Sequence, residues 1–470
     1  MVFTLTFKRR SILTGFPWVS AITLYTLSWG WSLLRPNTLY WDDWAVIFRK
    51  PKFFMLRYVR TVGRPPWSDV LETFLIPLGV WTVQLGTFFI FFVCGFLLFE
   101  ILKRVQYLDI SQVRWITLLF LIIPVNHARI SLVVFDYSTS YLLFFLGWLA
   151  LVRYHSFVSF SFSWLILLLS LKTHSLLFFL LLPFLHFVWL ERKQLLKFKR
   201  VNLVHIQTGL IAIMPFLYLI LREFFWPPSK SWINYQRPTV KGTILGAQLF
   251  IPVASATLVY LFWRKNKVRS NRNFVIFLFG IGITALGLFP YFAAGLLRNY
   301  ISLIAIRSDW GSRHLLLTPL GIATAVVGLN GIIAVSQKNL ILKICVIFSL
   351  IFNLYFGSTY YLDSVKKDEL IVLLTSQENL AKDVQFVVID ESKRFNGRGA
   401  LYRDYEWSAL FSLAGMKPRD VSAKRLCDEQ PSAIQLTLKS NTPYLKALVT
   451  RSLGLYLEVK PCSEVLAENG

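Results

Sequence analysis

The sequence predicts an all-α polytopic membrane protein that carries a small C-terminal α/β domain outside the bilayer. Three observations predict it. The 470-residue chain is 55% hydrophobic with a mean hydropathy of +0.54, and its apolar residues come in long uncharged runs, the mark of membrane spans. Aromatic residues, among them 41 Phe and 16 Trp, gather near the ends of these runs (Trp18, Trp31, Trp81, Trp115, Trp148, Trp189 and Trp263), as belts at the water interfaces require. The composition then changes near residue 357. Residues 1–357 hold about 35 Lys and Arg against 10 Asp and Glu, whereas residues 358–470 hold about 15 of each.

About eleven spans follow in order, at residues 12–34, 76–102, 115–133, 138–152, 157–171, 175–190, 203–221, 243–263, 273–296, 314–335 and 340–356. Lys8, Arg9 and Arg10 precede a run too long for the core of a cleavable signal, so the first span reads as a signal anchor. Several runs are about 16 residues, shorter than the roughly 20 that an upright crossing needs. The fifth and sixth runs flank Lys172-Thr173-His174, which predicts a tight hairpin turn.

Positive charge sets the orientation. A cytoplasmic N-terminus puts six basic clusters inside: Lys8–Arg10, Lys103/Arg104/Arg114, Arg153, Arg192–Arg200, Arg264–Arg272 and Lys338/Lys343. Their density is roughly twice that of the opposite loops. Eleven crossings then carry the tail to the outside.

Residues 358–470 form the second predicted domain, after a membrane domain at 1–357. The tail reads as helix (364–380), strand (384–390), helix (404–415) and strand-like runs at 434–438 and 453–459, a mixture of the two apolar periods. Cys94 and Cys345 lie inside apolar runs as packing residues. Cys427 and Cys462 lie in the tail and would pair if it faces an oxidising compartment.

The net charge of +25 sits on the loops of the membrane part. It therefore points to anionic headgroups and anionic lipid substrates, and away from nucleic acid. The middles of the spans are nearly free of ionisable residues, which argues against a transporter built around a polar relay at mid-depth.

Polar chemistry collects at the outer ends of the spans, where acids are few: Asp42, Asp43, Asp69, Glu72, Asp136, Glu223 and Asp309. Asp42 and Asp43 stand together in Tyr40-Trp41-Asp42-Asp43-Trp44. Repulsion and partial burial would raise one pKa and produce a general base, and the indoles of Trp41 and Trp44 suit stacking on a sugar ring. The plainer reading is a solvated acid pair anchored at the interface by Trp.

The second outer loop supplies Asn126, His127, Arg129 and Asp136, of which Asn126 and His127 could simply follow Pro124 at a span end. The hairpin turn supplies Lys172 and His174, which could hold a phosphate or merely snorkel to the interface. Arg313 and His314 begin the tenth span, where the helix dipole and free N–H groups favour an anion that a guanidinium can grip. Leu288-Phe289-Pro290-Tyr291 is expected to bend the chain toward the same mouth. No cofactor is expected. Two adjacent carboxylates without further ligands are a weak basis for a divalent metal.

This pattern resembles the GT-C class of membrane glycosyltransferases, which use polyprenyl-phosphate-linked sugars. The residues that carry the likeness are Asp42-Asp43 after the first span, Asp136 in a short loop between the third and fourth, the hairpin at Lys172-Thr173-His174, and Arg313-His314 leading into Leu-Leu-Leu-Thr-Pro-Leu. The acid pair, Asp-Asp-Trp, departs from the commoner Asp-Glu pattern. The resemblance implies a hexosyl- or pentosyltransferase in which Asp42 or Asp43 deprotonates the acceptor hydroxyl while Arg313, His314 and Lys172 hold the phosphate. It also implies a lipid-linked sugar donor, an envelope glycan, lipid or protein acceptor, and a plasma membrane, in the bacterial case the inner one. A lipid-linked polysaccharide polymerase or ligase would use the outer Arg and His without the acid pair. A lipid or glycan flippase would need polar groups at mid-depth.

Overall fold

The protein was analysed as a computed structural model that describes residues 15–48, 61, 63–65, 67, 70–154, 156–172, 176–196, 203–229, 238–265, 272–295, 315, 318–333, 339–377, 384–397, 401–416, 418, 420–423 and 427–469. Helices occupy the membrane part: α1 (Trp18–Trp29), α2 (Asp43–Phe48), α3 (Val70–Leu75), α4 (Val80–Leu102), α5 (Ile110–Ile122), α6 (Phe135–Arg153), α7 (Phe157–Ser170), α8 (Leu176–Phe179), α9 (Leu181–Leu195), α10 (Leu203–Phe225), α11 (Val240–Gln248), α12 (Ile251–Lys265), α13 (Arg272–Ala293), α14 (Pro319–Ile333) and α15 (Leu340–Thr375).

Among the described residues, six helical segments are long and apolar enough to cross a membrane: 80–102, 132–153, 203–225, 240–259, 272–293 and 340–375. Shorter apolar helices lie at 110–122, 157–170 and 319–333. Polar caps start several of them. Asp109 accepts from the Gln112 N–H at 2.8 Å, and the Gln112 side chain accepts from the Asp109 N–H at 3.1 Å, a reciprocal box that opens α5. Ser156 and Thr239 cap α7 and α11 in the same way with one bond each.

Two expected spans are interrupted. The sixth breaks at Leu180 between α8 and α9, and the eighth breaks at 249–250 between α11 and α12.

Side chains cross between helices to satisfy carbonyls that a helix end leaves open. The Trp29 indole donates to the Leu121 carbonyl at 3.1 Å, and Asn353 donates to the Ile122 carbonyl at 2.7 Å. Both carbonyls belong to the last turn of α5. The pair α13 and α14 instead packs through small residues: a Cβ on Gly280 would stand 2.2 Å from the Ala325 nitrogen, and one on Gly321 would stand 2.4 Å from the Thr284 nitrogen. Close backbone approach of this kind is how helices associate when burial of apolar surface gives no drive.

The expected break between residues 357 and 358 falls inside α15. This helix runs 36 residues without interruption, about 54 Å at 1.5 Å per residue. No proline interrupts it, and Gly357 is a packing residue, because a Cβ there would meet the Trp31 ring at 2.5 Å. The separate helix expected at 364–380 is the upper half of α15.

Beyond it stand β1 (Gln385–Asp390), α16 (Asp404–Leu413), β2 (Asp420–Ser422), β3 (Ile434–Ser440), α17 (Tyr444–Thr450), β4 (Leu455–Pro461) and α18 (Cys462–Asn469). The sheet order is β2-β1-β3-β4, with β1 parallel to β2 and β3, and β3 antiparallel to β4 in a register that sets Leu436 opposite Val459. Cys427 and Cys462 form a disulfide with their Cα atoms 5.1 Å apart.

The sheet domain does not stand apart. One apolar cluster joins Phe386, Leu436, Trp407 and Leu410 of that domain to Leu370 of α15, and reaches Leu39, Trp44, Leu132 and Phe135 of the loops between spans. Those loops and the C-terminal domain share a core.

Candidate active site where the loops meet the C-terminal domain

The residues 39–44 follow α1 and are clamped from two sides. On one side, Lys367 of α15 donates to the Leu39 carbonyl at 2.8 Å and to Asp363 at 2.6 Å, and Tyr402 donates to the same Asp363 at 2.6 Å. On the other side, Asp43 takes hold of the second loop. It is fully buried, and its carboxylate accepts from the Ser131 hydroxyl at 2.6 Å, the Tyr40 N–H at 3.1 Å and the Val133 N–H at 3.2 Å.

Burial pushes the Asp43 carboxyl up to about 7, against the pull of those hydrogen bonds. The sequence predicts such a shift from repulsion and partial burial together, and burial is the cause found. Repulsion plays no part, because the two side chains diverge to different partners, Asp43 to Ser131 and Val133 and Asp42 to the C-terminal domain. Asp43 spends its oxygens on its own protein and acts as a loop anchor.

Asp42 points the other way. It is partly exposed, and its Oδ1 accepts from the Tyr405 hydroxyl at 2.6 Å and from Arg403 at 3.1 Å, both on the C-terminal domain. No hydrogen bond to Oδ2 is found among the described residues. The indoles differ from expectation as well. Trp41 is buried edge-on against Tyr360 with centroids 6.1 Å apart, and Trp44 is buried against Phe48 and the Lys367 ammonium. Packing against protein takes the faces that sugar stacking would need.

Three residues after Val133, which Asp43 holds, lies Asp136, in the first turn of α6. Its oxygens are divided between two cations: Oδ2 accepts from Arg64 at 2.8 Å and Oδ1 from Lys172 at 2.9 Å. Lys172 also donates to Thr139 at 2.7 Å, and all three charged groups are buried. Arg222, at the end of α10, donates to the Gly63 carbonyl at 3.0 Å and so fixes the residue beside Arg64. Gly63 needs its left-handed φ of +69°, and a Cβ there would strike the backbone of Trp226 and Pro228 at 2.8 Å. Arg64 and Lys172 thus converge on Asp136 from different segments, with Arg222 holding the residue next to Arg64. Buried, converging cations of this kind suit a phosphate.

Arg129 does not join this group. Its guanidinium lies 3.1 Å from the centroid of the Trp29 ring and 4.7 Å from that of Phe91. It borders a cleft of about 10 Å³ lined also by Tyr25, Gln84 and Thr87, space for about one water. His174, Arg313 and His314 lie outside the described residues. Among the described residues, no group of three or more His, Cys, Asp or Glu is placed to hold a metal ion.

Of the residues singled out by sequence, the structure therefore joins Asp136 to Lys172 and adds Arg64, with Arg222 fixing the residue beside it, and it separately joins Asp42 to Arg403 and Tyr405. Arg64 had a local signal in Gly63-Arg64-Pro65-Pro66, a charge fixed among turn formers. Arg403 and Tyr405 had none, since nothing in the sequence joins residue 42 to residue 405. No protein-family model matches this chain, and no curated protein does either.

Proposed function

We propose that this chain is a membrane glycosyltransferase of the GT-C class, moving a sugar from a polyprenyl-phosphate donor to a glycan, lipid or protein acceptor outside the cytoplasm. The observation that carries the reading is the buried Arg64–Asp136–Lys172 cluster, two cations converging on one acid, just past the segment 131–133 that Asp43, the neighbour of Asp42, holds. Sugar transfer from a lipid phosphate needs a base on one side and cationic support for the departing phosphate on the other.

In this mechanism Asp42 takes the proton of the acceptor hydroxyl. The oxygen attacks the anomeric carbon, the bond from that carbon to the phosphate oxygen breaks, and polyprenyl phosphate leaves with the negative charge. Lys172, Arg64 and Arg222 stabilise that charge, together with His174, Arg313 and His314. Asp136 holds Arg64 and Lys172 in place and keeps the pocket from repelling its own parts.

The reading includes eleven crossings, a cytoplasmic N-terminus and a C-terminal domain on the far side, in a plasma membrane such as the bacterial inner one. The Cys427–Cys462 disulfide supports that side, because such bonds persist in oxidising compartments.

The test uses the full chain in nanodiscs. Polyprenyl monophosphate should bind the wild type and bind Lys172→Gln at least tenfold more weakly. Release of polyprenyl phosphate from lipid-linked sugars should stop in Asp42→Asn while expression and insertion stay normal. Binding indifferent to Lys172 together with transfer indifferent to Asp42 would sink the proposal.

A further inference from the structure

A second cavity lies away from this cluster, where α15 leaves the apolar span and meets the C-terminal domain. Its volume is about 360 Å³, and its lining includes Trp31, Arg35, Ser358, Tyr361 and Arg451. That size falls in the range of roughly 300–1,000 Å³ typical of small-molecule sites. We propose that this cavity binds the phosphate headgroup of an anionic glycerophospholipid of the surrounding membrane, gripped between Arg35 and Arg451.

Position in the bilayer supports this. Along α15 the residues Ile347, Phe348, Ile351, Phe352, Leu354 and Tyr355 are 47–57% exposed, a lipid-facing stripe that stops at Tyr355. About two turns later the helix buries Asp363, Lys366 and Lys367 in protein. The cavity sits at this change, the level of the headgroups. The stacked pair Trp31 and Tyr360, centroids 5.2 Å apart and 2° from parallel, marks the same level.

The walls divide by chemistry. Leu34, Leu354 and Leu448 line the apolar part, suited to the upper acyl chain. Ser358 and the two guanidiniums form the polar part. Arg35 is held at the rim by an ion pair with Asp368, and that bond uses one of its nitrogens. Arg451 closes α17 in the left-handed conformation, φ +56°, with its N–H donating to the Ala447 carbonyl at 2.9 Å. Its guanidinium has no partner among the described residues.

Helix α17 carries the same signature. Ala447 packs inward, Tyr444 is hydrogen-bonded to Ser358 at 2.9 Å, and Leu445 and Val449 stand 76% and 82% exposed. An apolar face beside a span end, with a free arginine after it, is what an element lying in the headgroup layer presents. The lipid would then join the sheet domain to the membrane at a point the protein's own contacts leave open.

The full-length protein, reconstituted in phosphatidylcholine nanodiscs with graded phosphatidylglycerol, tests the proposal by native mass spectrometry of retained lipid. The wild type should keep one phosphatidylglycerol and no phosphatidylcholine. Arg35→Gln and Arg451→Gln should each weaken retention about fivefold, and the pair about 25-fold, since a basic residue near an anionic surface contributes on that scale. Asp368→Asn, which frees Arg35 without removing it, should retain the lipid at least as well as the wild type. Wild-type retention in the double variant overturns the proposal, as does equal retention of phosphatidylcholine. Loss in Asp368→Asn would show that the ion pair and not the cavity matters. Displacement by glycerol phosphate at concentrations comparable to the lipid would make a soluble phosphate the ligand and overturn the lipid assignment.

Discussion

Tyr405 donates a hydrogen bond to Asp42 at 2.6 Å across a sequence separation of 363 residues. With Arg403 at 3.1 Å, it aims the proposed base from a separate domain. Both contacts are partly exposed, so each contributes on the order of 0.5–1 kcal/mol to stability. Tyr405→Phe and Arg403→Gln should therefore leave melting nearly unchanged while lowering kcat more than they change KM. Asp42→Asn should cost roughly 10²–10⁴-fold in kcat, the usual range for a lost general base. Kinetics of sugar transfer in nanodiscs decide this, and an unchanged kcat in Tyr405→Phe would free Asp42 from the domain's control.

The Asp136 cluster makes a prediction about stability. Removing the carboxylate takes from buried Arg64 and Lys172 the acid they share, and breaking a buried pair this way costs about 3–5 kcal/mol. Asp136→Ala should reach that range in an unfolding titration. Lys172→Met should cost less, because Arg64 still neutralises the carboxylate. A cost below about 1 kcal/mol for Asp136→Ala would mean that water reaches the cluster.

Much of this architecture was legible in the chain. Apolar runs gave the helices, and alternation gave β1, β3 and β4, because each reports burial of a local face. What sequence could not show is how faces meet. Asp42 and Asp43 read as one site, yet Asp43 opens a helix and successive residues at a helix start project in different directions, so the two reach different partners. β2 spans only three residues, too short for a period to register. The composition changes near residue 357 without a break in the backbone: α15 continues through it, and Lys366 and Lys367 find Asp390 and Asp363 in a buried setting.

Two buried acids give the fold a pH dependence. Burial raises Asp43 and Glu406 each to about 7, above their ordinary values of 3.8 and 4.5. Between those limits the folded state holds protons that the unfolded state has lost, so stability falls as pH rises, by about 1.4 kcal/mol per unit for each group. The loss begins near pH 4 and levels off above about 7. Asp43→Asn and Glu406→Gln should each flatten this slope between pH 5 and 7 when melting is followed in detergent. A stability that rises across that window in the wild type would contradict the assignment.

The disulfide ties stability to topology. Cys427 and Cys462 are 35 residues apart, and closing a loop of that length stabilises by about 3–4 kcal/mol in the chain-entropy view. Cys427→Ser should lower the stability of the sheet domain by a similar amount, since Cys462 follows β4 directly and joins the edge of the sheet to the turn that precedes β3. The same bond reports the compartment. In intact cells, a membrane-impermeant maleimide should label Cys427 and Cys462 only after reductant is added, and the shift should vanish in the double Ser variant. Labelling that needs both reductant and membrane permeabilisation would place the bond inside. The sheet domain would then face the cytoplasm, and an outward-facing Asp42 beside Tyr405 could not stand.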